Sequence, residues 1–329
     1  MSATVTSLHE TEFFDTDSLR LLRHNLTLGI QDGRWCLDTA DGPISMAGSD
    51  RGVPPTLSRL VRAYTRDDQL VPVARLRGGR EDLRARLGDR IAVPARPHDG
   101  SARGVVLEYV RAQIAALAAA DLAVRRGMPD SVHRLRVAAR RLRGVFTAYA
   151  PVLGGRKLLK EFGGALRWLG GELAPAQLAD DTGAPVPQAL DSYRYVQLLN
   201  ALDVLEVVLS EQPRRDRPKA ARRPAAKVLP PLARAVAEEV DGRVAALPAA
   251  PDQERAVHDV QKAVERLRYA LEAGAPVMPV DAEALRAFQR LLGDFQDSVV
   301  AGEHLRVRKS WRDLRRDLRP LWTCSGEGT

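Results

Sequence analysis

The stretch VHRLRVAARRLRGVF (132–146) returns 125 residues later as VHDVQKAVERLRYAL (257–271). A chain that repeats one amphipathic helix has to build comparable helical units around it. On a helix advancing about 100° per residue, Val132, Leu135, Ala139, Leu142, Val145 and Phe146 share one face. In the second copy Val257, Val260, Val264, Leu267, Ala270 and Leu271 take the same six positions. A third segment recurs too: ALRWLGGELAPAQL (165–178) resembles AFQRLLGDFQDSVV (287–300).

The face opposite the apolar stripe is cationic. Residues 131–143 hold one histidine and five arginines with no acidic residue. Like charges three and four apart on a helix repel by a few tenths of a kcal/mol per pair. His133, Arg136 and Arg140 lie on the polar face, with Arg143 at its edge and Arg141 on the other flank. The second copy places His258, Lys262 and Tyr269 there, flanked by Arg266 and Arg268, and dilutes the charge with Asp259, Gln261 and Glu265. If such faces converge with no carboxylate between them, multiply charged phosphate is the natural ligand, with arginine supplying bidentate contacts. The first copy then contributes the stronger field.

The rest of the chain divides in two. Residues 103–126, 131–150, 156–173, 190–211, 226–246, 252–273, 281–297 and 299–318 read as helices. QPRRDRPKAARRPAAKVLPP (212–231) reads as an exposed, partly disordered connection. Before residue 95 the pattern changes: EFFDT, LTLGI and RWCLDT are strand-like, DGRW and ADGP carry turn signals, and PPTLSRLVRAY (54–64) opens a short helix on proline. IAVPARPHDGSARG (91–104) is a linker.

The net charge of +8 points to an anionic partner. Two cysteines, Cys36 and Cys324, offer no metal-ligand spacing or disulfide framework. The start MSATVTSLHETEFF has no basic stretch followed by an apolar one, and AQIAALAAADLAV (112–124) is too short and polar to span a bilayer. A reducing, cytoplasmic protein without membrane insertion is expected. No P-loop, dinucleotide fingerprint or nucleophile elbow appears. His9, His24, His98 and His304 have no ligand spacing. Trp168, Trp311 and Trp322 read as core or bundle-cap residues. HLRVRKSWRDLRRDLR (304–319) adds Lys309 and Arg312 as rim candidates; Lys160 and Arg167 rank beside them.

DSVHRLRVAARRLRGVF, VHDVQKAVERLRYALE, FQRLLGDFQD and WRDLRRDLRPLW together resemble the histidine-bearing helical domain called CHAD, over about residues 100–322. The resemblance implies a mainly α fold, a pair of antiparallel helical bundles with a pseudo-twofold internal repeat (about 103–211 and 226–322). It implies binding of inorganic polyphosphate in a basic cleft, association with polyphosphate granules, and no catalysis, metal or cofactor. Carried over by position, the ligand contacts are His133, Arg136, Arg140, Arg143, His258, Lys262, Arg266 and Arg268. Arg141, Lys160, Arg167, Lys309 and Arg312 form a second rank. The chain departs from the family where Gln261 and Glu265 replace basic residues and where Gln177-Leu178 replaces an Arg-Asp pair.

ETEFFDTDSLRLLRHNLTL and PTLSRLVRAYTRDDQLVPVARLRGGR are similar to the first half of a CYTH domain, the triphosphate tunnel fold. That resemblance implies a small, incomplete α+β region over 1–95. After LRGGR the chain is expected to pass almost directly to the linker. ETE (10–12) leads into FFDT and is not the metal motif of a working tunnel. Open strand edges make a homodimer the expected assembly. Nucleic acid binding through the same basic faces is the second function class, and residual metal-dependent triphosphatase activity the third.

Overall fold

The structure is a computed structural model describing residues 10–48, 52–91, 99–178, 186–301 and 304–323. Within these, the side chains of 156–158, 177–178, 282, 294, 296–301, 304–306 and 322–323 are not described. His9, His98, Cys324, half of the 91–104 linker and the chain's first nine residues therefore lie outside the described residues, as do the side chains of Gln177, Leu178, His304 and Trp322.

The chain begins with β1 (Thr11–Asp15), α1 (Arg20–Arg23), β2 (Thr27–Gln31), β3 (Arg34–Asp38), β4 (Ile44–Ala47), α2 (Pro55–Leu60), α3 (Arg62–Thr65), β5 (Val71–Leu76) and α4 (Arg80–Ile91). It continues with α5 (Ala102–Arg125), α6 (Ser131–Ala148), α7 (Ala150–Leu153), α8 (Arg156–Glu172), α9 (Ala174–Leu178) and α10 (Tyr193–Glu211). Then come α11 (Lys219–Arg222), α12 (Ala225–Ala246), α13 (Gln253–Ala273), α14 (Ala282–Ala301), α15 (His304–Asp317) and α16 (Pro320–Thr323). Two compact units result: Met1–Arg96 with Ala115–Leu135 and Leu173–Ala201, and Pro97–Ile114 with Arg136–Glu172 and Leu202–Thr329.

In the first unit a five-stranded sheet runs in the order β4-β3-β2-β1-β5, antiparallel throughout. Asp32 (φ 51°) and Gly33 (φ 71°) close the β2–β3 hairpin. A two-residue turn with positive φ at both positions matches the twist of the strands, and Asp-Gly is its preferred sequence. Phe13 packs with Leu19, Leu22, Leu83 and Leu87, so α4 covers this part of the sheet. A direct passage from LRGGR to the linker is thus corrected: α4 intervenes. Its sequence, REDLRARLGDRI, hides a helix because two buried leucines one turn apart and a partly buried Ile91 are all that anchor it among charges. Glu12 pairs with Arg75 at 3.1 Å and Glu10 with Arg77 at 3.7 Å, so the ETE carboxylates face arginines of β5 and its flank. The buried Asp15 carboxylate accepts hydrogen bonds from the amides of Thr16 (2.7 Å), Leu21 and Leu22 (both 2.9 Å), and burial pushes its pKa up against them.

The same unit contains a buried ion pair. Asp121 is fully buried and lies 2.7 Å from Arg125 Nε. Burial pushes the Asp121 carboxyl up; Arg125 and the Tyr195 hydroxyl hold it back. Arg125 also donates to Asp191 at 2.7 Å, and Arg59 reaches Asp191 at 2.5 Å.

The second unit is helical and holds α13 and the part of α6 from Arg136 onward, Val132 and Leu135 belonging to the first. All six apolar positions of each basic helix are buried, from Val132 (4% exposed) to Leu271 (1%). The recurrence between α8 and α14 is also a core pattern: Leu166, Leu169 and Leu173 are buried, as are Phe288, Leu291 and Phe295. Trp311 is buried and its indole donates to Asp241 at 2.9 Å. Arg103, 1% exposed, donates to the carbonyls of Val152 and Leu209 (both 3.4 Å) and to Gln212 Oε1 (2.5 Å). A cation there meets the carbonyl ends of α7 and α10, where the helix dipole favours it.

The reading of 212–231 as a partly disordered connection is corrected. Ala102 N bonds Arg223 O and Ala225 N bonds Gly100 O, both at 2.9 Å, and Ser101 bridges Pro224. From Ala225 onward the segment is α12, which runs through Pro230 and Pro231. Prolines and arginines look like linker composition, yet backbone pairing with residues 100–102 orders the segment.

Without the Asp121 carboxylate, Arg125 keeps the partly exposed Asp191 at 2.7 Å as its counter-charge. Asp121→Asn is therefore expected to lower unfolding free energy by about 2 kcal/mol, less than for a wholly stranded charge. A denaturant midpoint equal to wild type would show that this pair is not a structural tie.

Candidate anion-binding site

A cavity of about 860 Å³ opens within the second unit. Helices of both repeats line it. α6 contributes Arg140, Arg143 and Gly144; α8 contributes Lys160 and Arg167; α12 contributes Val236 and Glu239; α13 contributes Lys262, Glu265, Arg266 and Tyr269. The apolar stripes explain the placement: burying one side of α6 and α13 turns the edges of their cationic faces toward the opening.

Two contacts set the approach of α6 to α13. A Cβ on Gly144 would come within 2.9 Å of Tyr269 Cδ2. Arg140 stands 3.9 Å from Glu265. Both pairs join a position to its own repeat equivalent, 125 residues on. Placing Tyr269 on the polar face is corrected: the ring is 3% exposed, covered because its equivalent on α6 has no side chain.

Charge crowds the cavity wall. The Arg143 guanidinium is pushed below its usual pKa by burial first, then by Arg167, Arg266 and Arg140, with Glu265 opposing. Arg136 is lowered by burial and by Arg140. Six cations line the wall against two carboxylates. The expectation of convergent cations with no carboxylate between them is therefore corrected. Glu265 was visible in the repeat alignment. Glu239 was missed, because AVAEEVDG reads as a solvated helix face. Glu239 Oε2 accepts from Arg266 at 2.5 Å, while its Oε1 accepts from Arg243 at 2.8 Å. Burial raises the Glu239 pKa, but these hydrogen bonds outweigh it and the net shift is downward.

Of the expected contacts, Arg140, Arg143, Lys262 and Arg266 line the cavity, together with the second-rank Lys160 and Arg167. His133, in the first turn of α6, and His258, in the second turn of α13, are exposed and are not among its lining residues, nor is Arg136. Arg268 and Arg141 turn to Glu272 instead, at 3.2 and 3.0 Å. Tyr109 also donates to Glu272, at 2.9 Å. Lys309 and Arg312 are exposed on α15, away from the lining.

Gly144→Ala tests the close approach. Alanine improves helix propensity by about 1 kcal/mol. Overpacking against a buried ring costs about 1–3 kcal/mol. Net destabilisation is expected, relieved in Gly144→Ala/Tyr269→Leu; a more stable single variant would show slack between the helices.

The comparisons with known proteins agree with this geometry. Residues 108–306 match the CHAD domain family. Two proteins of Mycobacterium tuberculosis, from strains CDC 1551 / Oshkosh and ATCC 25618 / H37Rv, are each 31% identical over 237 residues, covering 60% of this chain. Both are named only as uncharacterized proteins, and the chain spans 44% of their length. The match takes in α6, α8, α12, α13 and α14, the helices that carry the repeat and the cavity: the chain belongs to the CHAD domain family.

Proposed function

We propose that the cavity binds inorganic polyphosphate without turning it over. One observation carries the reading: Arg140, Arg143, Lys160, Arg167, Lys262 and Arg266 line a single cavity, where burial and the neighbouring arginines lower the Arg143 pKa. Cations held together at such cost are relieved by an anion, and one of several charges relieves them most. The family is associated with polyphosphate binding, which agrees. The working contacts are Arg140, Arg143, Lys160, Arg167, Lys262 and Arg266. We read residues 100–322 as the family's paired helical bundles and 1–95 as a CYTH-like remnant, with granule association following from the ligand. The edges of β4 and β5 leave backbone groups open for pairing, which supports a homodimer.

Nucleic acid fits the charge less well. The aromatic residues of the lining, Phe146 and Tyr269, are 1% and 3% exposed, so neither offers a ring face for a base. Among the described residues no helix is long and apolar enough to cross a membrane.

Binding should weaken steeply with salt, since each phosphate contact displaces counterions. Arg143→Gln/Arg167→Gln is expected to reduce affinity for long-chain polyphosphate about tenfold or more at fixed ionic strength. His258→Gln should leave tripolyphosphate binding unchanged. Calorimetric titration at several salt concentrations checks both, with DNA and RNA as competitors at equal phosphate. Unchanged affinity in the double arginine variant moves the site elsewhere. Displacement of polyphosphate by nucleic acid favours the second class. Phosphate release from tripolyphosphate with magnesium or manganese should stay at background.

A further inference from the structure

Glu239 is the one lining carboxylate with a second cation on hand outside the lining. Its two oxygens are divided: Oε2 faces Arg266 in the cavity wall, and Oε1 faces Arg243, one turn further along α12. Glu265, by comparison, stands 3.9 Å from Arg140 and acts on Arg143, both of them lining residues. A carboxylate bound to both cations can release one and remain paired with the other. That matters energetically, because an unpaired, partly buried carboxylate is expensive and a paired one is not.

We propose that Glu239 is a resident counter-anion which an incoming phosphate displaces from Arg266, Arg243 retaining the carboxylate. In the free protein Glu239 neutralises Arg266 and limits repulsion among the cavity cations. On binding, a phosphate oxygen takes the Arg266 fork and the Glu239 side chain moves wholly to Arg243. The exchange sets a threshold. A weakly charged anion gains too little at Arg266 to replace a charge-assisted bond already in place, whereas a polyphosphate segment recovers the cost through Arg140, Arg143 and Arg167 at the same time. Glu239 thus acts as a specificity-determining residue that biases the cavity toward multiply charged phosphate. The inference rests on the polyphosphate reading above.

The two sides of the exchange predict opposite effects. Glu239→Gln frees Arg266 and should tighten tripolyphosphate binding about three- to tenfold, with a salt dependence steeper by about one ion. Arg243→Gln removes the fallback partner, pins Glu239 on Arg266 and should weaken binding severalfold, although Arg243 does not line the cavity. Glu239→Gln/Arg243→Gln should resemble Glu239→Gln alone, since the group that competes is gone. Arg234→Gln is the control for lost net charge: Arg234 pairs with Glu238 at 3.0 Å on the same helix and is not among the lining residues. It should change affinity less than twofold. Circular dichroism melts verify that each variant is folded. Wild-type binding with no gain in Glu239→Gln overturns the exchange alone. So does Arg243→Gln behaving like Arg234→Gln. Failure of the wild type to bind either tripolyphosphate or long-chain polyphosphate overturns the polyphosphate reading and the exchange with it.

Discussion

The approach of α6 to α13 at Gly144 and Tyr269 is the contact on which the cavity depends. Tyr269 packs against α6 where that helix presents no Cβ, and position 144 supplies the gap. With the ring seated there, one turn earlier Arg140 comes opposite Glu265, and Arg143 comes within the field of Arg266 and Arg167. Arg268 lies 5.2 Å above the same ring, a cation–π contact that leads its charge away from the cavity. A larger residue at 144 would separate the helices and dilute every one of these interactions.

Close approach has an electrostatic consequence. Two unit charges about 4 Å apart interact by about 4 kcal/mol at the effective dielectric near a protein surface. A domain's whole stability is about 5–15 kcal/mol. Of the six cations around the cavity, Lys160, Arg167 and Lys262 are exposed and screened by solvent, so uncompensated repulsion would fall mainly on Arg140, Arg143 and Arg266. Glu239 and Glu265 in the wall are the remedy, and they explain why a purely cationic site does not occur here. The same carboxylates oppose any anionic ligand. The site therefore balances stability in the free state against affinity in the bound one, and the balance is struck by side chains that can change partners.

Much of this was legible in the sequence. The long helices fall within a few residues of their expected bounds, and both apolar stripes are buried at every expected position, because period and composition agree along them. What escaped has a common cause. Tyr269 points to the polar side of an isolated helix, and its burial comes from a glycine 125 positions away. Glu239 looks like one of two solvated glutamates until α12 is placed beside α13. Residues 212–224 look like a linker until the end of the segment, Arg223 to Ala225, pairs its backbone with residues 100–102. α4 is carried by Leu83, Leu87 and Ile91, whose role shows only against Phe13, α1 and β5. Each is a tertiary fact with no local signature, whereas the repeat is a local signal written twice.

The repeat also explains why its copies differ where they do. Near the contact of α6 with α13, each position meets its own equivalent: 140 faces 265 and 144 faces 269. Identical residues would then meet themselves. Two arginines at 140 and 265 would repel, and two tyrosines at 144 and 269 would clash. Arginine against glutamate and glycine against tyrosine resolve both conflicts, turning a self-contact into a complementary one. Away from that line no such pressure acts, and His133 with His258 and Arg143 with Arg268 remain alike. The glutamate at 265 is thus the local consequence of packing one basic helix against its own duplicate, whereas Asp259 and Gln261, at the positions of Arg134 and Arg136, dilute the second copy away from that line; together they concentrate the positive field of the cavity on α6 and α8.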